Sequence, residues 1–261
     1  MRHPRSVLIT GASSGIGEAL AQAYAAPGVT LALGGRDAPR LEASATSCRA
    51  RGASVSVATV DVTNAGTIAE WVRRADKAAP LDLVIANAGI SAGTGLGGES
   101  AEQTRAIFGV NLDGVLNTVL PAIPLLQARR RGQIALMSSL AAFRGFPGAP
   151  AYCASKAAVR VWGEGLRGTL AGDGIEVSVI CPGFVESRMT AVNRFPMPFL
   201  MSAERAAEIV RRGLARNQAR IAFPLPIHAA AWALGVLPPS WTDGALGRLP
   251  KKESAAVQAR R

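Results

Sequence analysis

The chain has 261 residues but only four lysines, Lys77, Lys156, Lys251 and Lys252, and two histidines, His3 and His228. Its three cysteines, Cys48, Cys153 and Cys181, are odd in number and irregularly spaced. That pattern excludes a disulfide framework and fits free thiols in a reducing cytoplasm. The cysteines form no ligand pair and the histidines add none, which argues against a protein-held metal. Charged residues are scarce at 18 %, whereas hydrophobic residues reach 49 %, ample for a core. The first apolar run, Val7 to Ile9, begins too early to leave room for a secretory leader, so the mature chain is expected to start here. No repeat, linker or low-complexity block appears, and one large α/β domain is the simplest organisation.

The scarce lysines also bear on the formal charge of +11. A basic balance raises nucleic acid or an anionic membrane as partners. The excess comes from arginines scattered along an alanine-rich chain, which looks like compositional bias. There is no zinc finger, aromatic–basic alternation or RNA-binding signature, so nucleic acid is not the expected partner.

What is present is an alternation. Short apolar or β-branched runs lie at 6–10, 30–34, 54–61, 81–87, 133–139, 176–182 and 220–223. Helical stretches lie between them at about 16–26, 38–51, 64–79, 101–130, 150–171 and 203–216. Strand–helix alternation predicts a parallel sheet with helices on both faces, and near-continuous apolar strands are what two covered faces require. The expected fold is a doubly wound Rossmann α/β sheet of seven strands, with 1–223 as one catalytic domain. Residues 224–250 form an apolar C-terminal extension and 251–261 a flexible tail.

The first run ends in "TGASSGIG", Thr10 to Gly17. Gly11, Gly15 and Gly17 allow a tight turn and close backbone approach, and Ile16 opens a helix. Unpaired N–H groups and the positive dipole end at such a helix start make a pyrophosphate site, lined by Gly11, Ser13, Ser14, Gly15, Ile16 and Gly17. It is not a P-loop, because no Gly-Lys-Ser/Thr follows. The second run ends in "LGGRD". Arg36 stands where an arginine accommodates a 2′-phosphate, which favours NADP(H); Asp37 keeps NAD(H) as an alternative, or caps the next helix.

Tyr152 and Lys156, four apart in "YCASK", share one face of a predicted helix. A phenol titrates near 10 and is a poor base at neutral pH; a neighbouring ammonium favours the phenolate. Such a pair can pass a proton to a ketone or take one from an alcohol.

Taken in order, "TGASSGIG" (10–17), "DVT" (61–63), "NAG" (87–89), Asn111 in "VNLDG", Ser139 in "MSSLAA", "YCASK" (152–156) and "PGFVES" (182–187) resemble the short-chain dehydrogenase/reductase family over residues 6 to about 223. The resemblance implies an oxidoreductase with Asn111, Ser139, Tyr152 and Lys156 as catalytic residues. Ser139 would hold the substrate oxygen, in preference to Ser138, which strand alternation turns the other way. Asn111 would bind a water leading from Lys156 to solvent, and Lys156 would also hold the nicotinamide ribose. Asp61, with Val62 beside it, would hold the adenine amino group. Asn87, Ala88 and Gly89 would close over the cofactor, and Pro182, Gly183, Val185 and Ser187 would line the nicotinamide. Ser187 replaces the family's frequent threonine but keeps a hydroxyl. The resemblance also implies a homodimer through 101–130 and 150–171, with a tetramer as the alternative.

The substrate lies beyond these motifs. Residues 188–201, with Phe195, Met197, Phe199, Leu200 and Met201, read equally as an apolar lid or as ordinary loop packing. Residues 139–148 form a pocket wall, and 91–98 a glycine-rich rim. The run 224–249 is too short and too broken by proline to span a bilayer. Packing or substrate covering is expected of it ahead of weak membrane contact, since a surface anchor should carry a strong polar face. The expected partner is a small, lipophilic carbonyl or alcohol, and the expected place is the cytoplasm or the inner face of a membrane. A non-catalytic NAD(P)-sensing protein and a membrane-surface lipid carbonyl reductase are the rival readings. Nucleotide-sugar epimerases have different glycine spacing and a larger substrate domain.

Overall fold

The computed structural model describes residues 3–91, 98–193 and 195–248. Most of the rim 91–98 and the whole tail 251–261 therefore lie outside the described residues. Strands β1 (Ser6–Thr10), β2 (Thr30–Gly35), β3 (Ser54–Thr59), β4 (Leu83–Ala86), β5 (Gly132–Met137), β6 (Ile175–Pro182) and β7 (Arg220–Phe223) form one parallel sheet in the order β3-β2-β1-β4-β5-β6-β7. Strands β1, β4 and β5 are buried along their whole length, as their unbroken apolar runs require. Strand β3, at one edge, is mostly exposed and alternates serine with valine.

The helices are α1 (Gly15–Tyr24), α2 (Ala38–Arg49), α3 (Ala65–Ala78), α4 (Ala101–Phe108), α5 (Gly114–Val119), α6 (Ala122–Arg129), α7 (Pro150–Ala171), α8 (Arg188–Ala191), α9 (Ala203–Ala215), α10 (Leu225–Val236) and α11 (Pro239–Leu246). Helix α9 shows why such segments fold as they do. Ala206, Ala207, Val210, Gly213 and Leu214 recur at helical spacing and are buried, while Glu208 pairs outward with Arg211 and Arg212 at 2.9 and 2.6 Å.

The strand order reverses on either side of β1, so β1 and β4 lie side by side and their carboxyl ends open a crevice, the usual ligand position in such sheets. Thr10 and Asn87 face each other there.

One expectation changes. The stretch 101–130 is not one helix: α4 passes through a π-helical turn, Gly109–Asp113, into α5, and the chain breaks again at Pro121 before α6. Gly109 and Gly114 are weak helix formers, and proline lacks the N–H that an uninterrupted helix needs. The run Ala101–Arg129 has the length and apolarity of a membrane span, but it packs within the fold against α3, α7 and β4. The C-terminal extension, of which packing or substrate covering was expected, leaves most of α10 exposed. In α10 only Ala231 is buried, and Leu225, Trp232 and Val236 are 73, 55 and 62 % exposed.

Candidate active site

The glycine loop leaves β1 with Gly11 in the left-handed region, at φ +68°. A Cβ on Gly11 would stand 2.9 Å from the Ala88 Cα, and one on Gly17 only 2.2 Å from the Gly11 carbonyl oxygen. The loop is therefore folded tightly against the end of β4 and the start of α1. Four hydrogen bonds fix it there. The Asn87 and Ala88 N–H groups donate to the Thr10 hydroxyl at 3.0 and 3.2 Å, and the Asn87 amide donates to the Thr10 and Gly11 carbonyls at 2.9 and 3.2 Å. Thr10, unremarked as a site residue in the sequence, is the anchor, and its place as the last residue before the first glycine was the available signal.

The loop fits a pyrophosphate. Helices α2, α3, α4 and α9 are each capped by a side chain, from Asp37, Asn64, Ser100 and Ser202. At α1, Ser14 occupies the cap position with extended backbone but makes no side-chain cap bond. The first N–H groups of α1 thus keep their capacity for an anion, next to the partly exposed Gly11, Ser13, Gly15 and Ile16. Beyond β2, Arg36 is exposed. Asp37 caps α2, accepting from the Arg40 N–H at 3.0 Å, and pairs with the Arg40 guanidinium at 2.5 Å.

Tyr152 and Lys156 stand on the first turns of α7, beside the end of β5. The Lys156 ammonium lies 5.9 Å from the centre of the Tyr152 ring and donates to the Met137 carbonyl at 2.9 Å. Lysine 156 is buried, and burial lowers its pKa to about 8. Ser139 follows β5 in extended conformation. Its hydroxyl accepts from the Ala141 N–H at 3.1 Å and lies on the side of the Tyr152 phenol. Burial raises the Tyr152 pKa, and only Ser139 pulls it down appreciably. The lowering expected from the neighbouring ammonium is not among the influences on it, and burial dominates. Ser138 turns away, as alternation predicts, and donates to the Lys156 carbonyl at 2.7 Å.

Several predicted residues also make contacts within the protein. The Asn111 amide donates to the Ile90 carbonyl at 2.9 Å and to the Ser155 hydroxyl at 3.1 Å, and it accepts from the Ile90 N–H at 2.8 Å. Its side chain holds the segment after β4 against α7. Ser155, missed in the sequence although it lies within "YCASK", completes the link by donating to the Tyr152 carbonyl at 2.8 Å. Gly89 lies where a Cβ would be 3.2 Å from both the Lys156 ammonium and the Asn111 amide oxygen, so these three residues converge. The Asp61 carboxylate accepts from the Thr63 N–H and hydroxyl at 2.9 and 2.8 Å, closing a turn, and the Val62 carbonyl accepts from Asn117 at 2.9 Å. The Ser187 hydroxyl and N–H form a capping box with Thr190 on α8, and its Cβ faces Gly15. Gly183 bonds the Phe223 carbonyl at 2.8 Å beside Pro182, and Val185 is buried and bridges to Met201. In 188–201, Phe195 packs edge-on against Phe184 at 6.2 Å, whereas Phe199 and Leu200 point to solvent.

A glycine cradle at the crevice of a parallel sheet, with a serine, tyrosine and lysine gathered beside it, defines a dinucleotide-dependent oxidoreductase. The sequence comparison agrees: residues 5–196 match the short chain dehydrogenase family, and the chain belongs to that family. It is 41 % identical over 246 residues to an uncharacterized oxidoreductase of Myxococcus xanthus (strain DK1622), covering 94 % of this chain and 97 % of the relative. Among solved structures, it is similar to a short chain dehydrogenase/reductase from Burkholderia phymatum in complex with NAD. The two are 26 % identical with TM-score 0.81, covering 97 % of this chain and 99 % of that one. It is also similar to a short-chain dehydrogenase from Sphingobium yanoikuyae in complex with NADPH, 26 % identical with TM-score 0.79 over 96 and 98 % of the two chains.

Proposed function

We propose that this oxidoreductase interconverts a ketone and a secondary alcohol with NADP(H), using Tyr152 as the acid–base group. The observation that carries the reading is the gathering of Ser139, at the end of β5, and Tyr152, on α7, with the Lys156 ammonium 5.9 Å from the centre of the tyrosine ring. A bound nicotinamide supplies or accepts the hydride, and its oxidised form adds positive charge. Ser139 holds the substrate oxygen. Tyr152 gives that oxygen a proton in reduction and removes one in oxidation. A phenol kept protonated by burial is ready to donate, which suits reduction.

NADP(H) is preferred over NAD(H) because Asp37 is engaged in its helix cap and with Arg40, while Arg36 is exposed at the position where an arginine accommodates a 2′-phosphate. The two similar solved structures carry NAD in one case and NADPH in the other, so both cofactors belong in the test. The aromatic packing of Phe184 and Phe195 near the end of β6 supports a lipophilic substrate. Exposed Leu120 and Val161, on the two helical regions 101–130 and 150–171, support a homodimer through that face. Buried free thiols at Cys48, Cys153 and Cys181 suit a reducing cytoplasm.

The test is a panel of steroid, acyl and sugar ketones with NADPH and NADH, followed at the nicotinamide absorbance. Tyr152→Phe should bind NADPH as the unsubstituted protein does and lose about 10²–10⁴-fold in turnover. Near-normal turnover in that variant would remove Tyr152 from the mechanism. Tight NADPH binding with no turnover on any substrate would favour a sensing role.

A further inference from the structure

We propose that the outer face of α10 and α11 docks on an anionic membrane surface. Eleven large hydrophobic side chains are exposed among the described residues, and eight of them fall between Val192 and Trp241. They cluster by topology. Residues 183–201 leave the carboxyl end of β6, and α10 leaves the carboxyl end of the neighbouring β7. Within α10 the exposed residues Leu225, Ala229, Trp232 and Val236 stand at i, i+4, i+7 and i+11, which is one helical face. That face points to solvent. The opposite face is already used: Ala231 is buried, the His228 ring meets the Phe143 ring edge-on at 5.3 Å, and a Cβ at Gly235 would stand 2.4 Å from the Phe143 carbonyl oxygen.

A helix apolar all round is ordinarily buried all round. Here one apolar face is glued to the protein and the other is left outward. This removes the objection that α10 lacks the polar face of a surface anchor, because the body of the protein takes the place of that face. With 12 residues the helix lies on a bilayer and cannot cross it. Trp241, on the next helix α11, is 75 % exposed, and exposed tryptophan suits the headgroup region.

Charge chooses between a membrane and a second copy of the chain. The only acidic residue in α10 and α11 is Asp243, and Arg144 holds it at 2.9 Å. From Arg248 to the end the sequence carries five basic residues and one acidic. A self-contact through this patch would bring two chains of formal charge +11 together with no acidic counterpart. An anionic leaflet offers both an apolar layer and the opposite charge, the two signals that stable surface binding needs.

The experiment uses the full chain with phosphatidylcholine vesicles, with and without phosphatidylglycerol. Flotation should occur only with the anionic vesicles and weaken in high salt. Trp232→Glu combined with Val236→Glu alters only exposed positions and should abolish flotation at an unchanged melting temperature. Arg248→Gln, Lys251→Gln and Lys252→Gln together should weaken it about a hundredfold, at roughly fivefold per basic residue near an anionic surface. The proposal is overturned by failure to float on either vesicle, or by equal flotation of the glutamate variant. It is also overturned if light scattering finds a concentration-dependent oligomer, dispersed by those glutamates, in place of vesicle binding. None of these readouts depends on turnover, so the docking and the catalytic reading fail separately.

Discussion

Lys156 holds an ammonium in the interior, and replacing it by methionine isolates what that costs. Burial lowers its pKa from 10.5 to about 8, which corresponds to about 3 kcal/mol of preference for the uncharged form. The unfolded chain binds the proton more tightly than the folded one. The cost is therefore present in full below pH 8 and fades as pH rises from about 8 to 10.5. Methionine keeps the length and removes the charge, but it leaves the Met137 carbonyl without its 2.9 Å partner, a loss of about 1–2 kcal/mol. At pH 7 the balance favours Lys156→Met by about 1–2 kcal/mol, or roughly 2–8 °C in melting temperature for a domain of this size. Near pH 10 the relieved cost has shrunk to about 1 kcal/mol, so the advantage vanishes or reverses. Urea unfolding of the cofactor-free protein at the two pH values measures this, and comparison with the unsubstituted chain cancels other titrations. A variant less stable at pH 7, or a difference that does not change with pH, would refute the claim that burial of this charge dominates. The same variant should lose turnover, since stability and function pull against each other at this position.

Two further substitutions test the cofactor side. Arg36→Ala should weaken NADPH about 10–100-fold and leave NADH within about twofold, because only NADPH carries a phosphate for a charge-assisted bond; fluorescence titration reads both, and equal losses would remove Arg36 from the assignment. Gly17→Ala should abolish binding of either cofactor and lower the melting temperature by several degrees, on the order of 1–3 kcal/mol of overpacking, because its Cβ would sit 2.2 Å from the Gly11 carbonyl oxygen; unchanged binding would mean that the loop has slack the close packing denies.

The fold was legible because its signals are local. The apolar runs at 6–10 and 220–223 coincide with β1 and β7, and the other five strands lie within two residues of their predicted ends. The cores of α1, α2, α3, α7 and α9 match equally well, each with an apolar stripe bounded by a cap or a glycine. What the sequence hid was non-local. Gly109 and Gly114 weaken the helix locally, but the contacts that the π-helical turn makes through Asn111 are to Ile90 and Ser155, 21 and 44 residues away. The orientation of α10 was equally hidden. A helix apolar on every side carries no mark of which side will face water, and only packing against Phe143 decides it.

The candidate site shows a division of labour that motif reading obscures. Asn87, Asp61, Asn111 and Ser187 all belong to motifs from which a contact with cofactor or solvent was expected. Each also has its side chain bound to the protein: to the glycine loop, to Thr63, to Ile90 and Ser155, and to Thr190. The polar side chains therefore set the positions of backbone at the crevice, and backbone N–H groups are left to meet an anion. Such residues are positioning residues. A substitution at Asn111 releases the segment after β4 from α7, and Ser155 ties that same contact to the Tyr152 carbonyl. Under the proposed function, its effect on chemistry would pass through the placement of Tyr152, whereas Tyr152, Ser139 and Lys156 would act on the reacting oxygen directly.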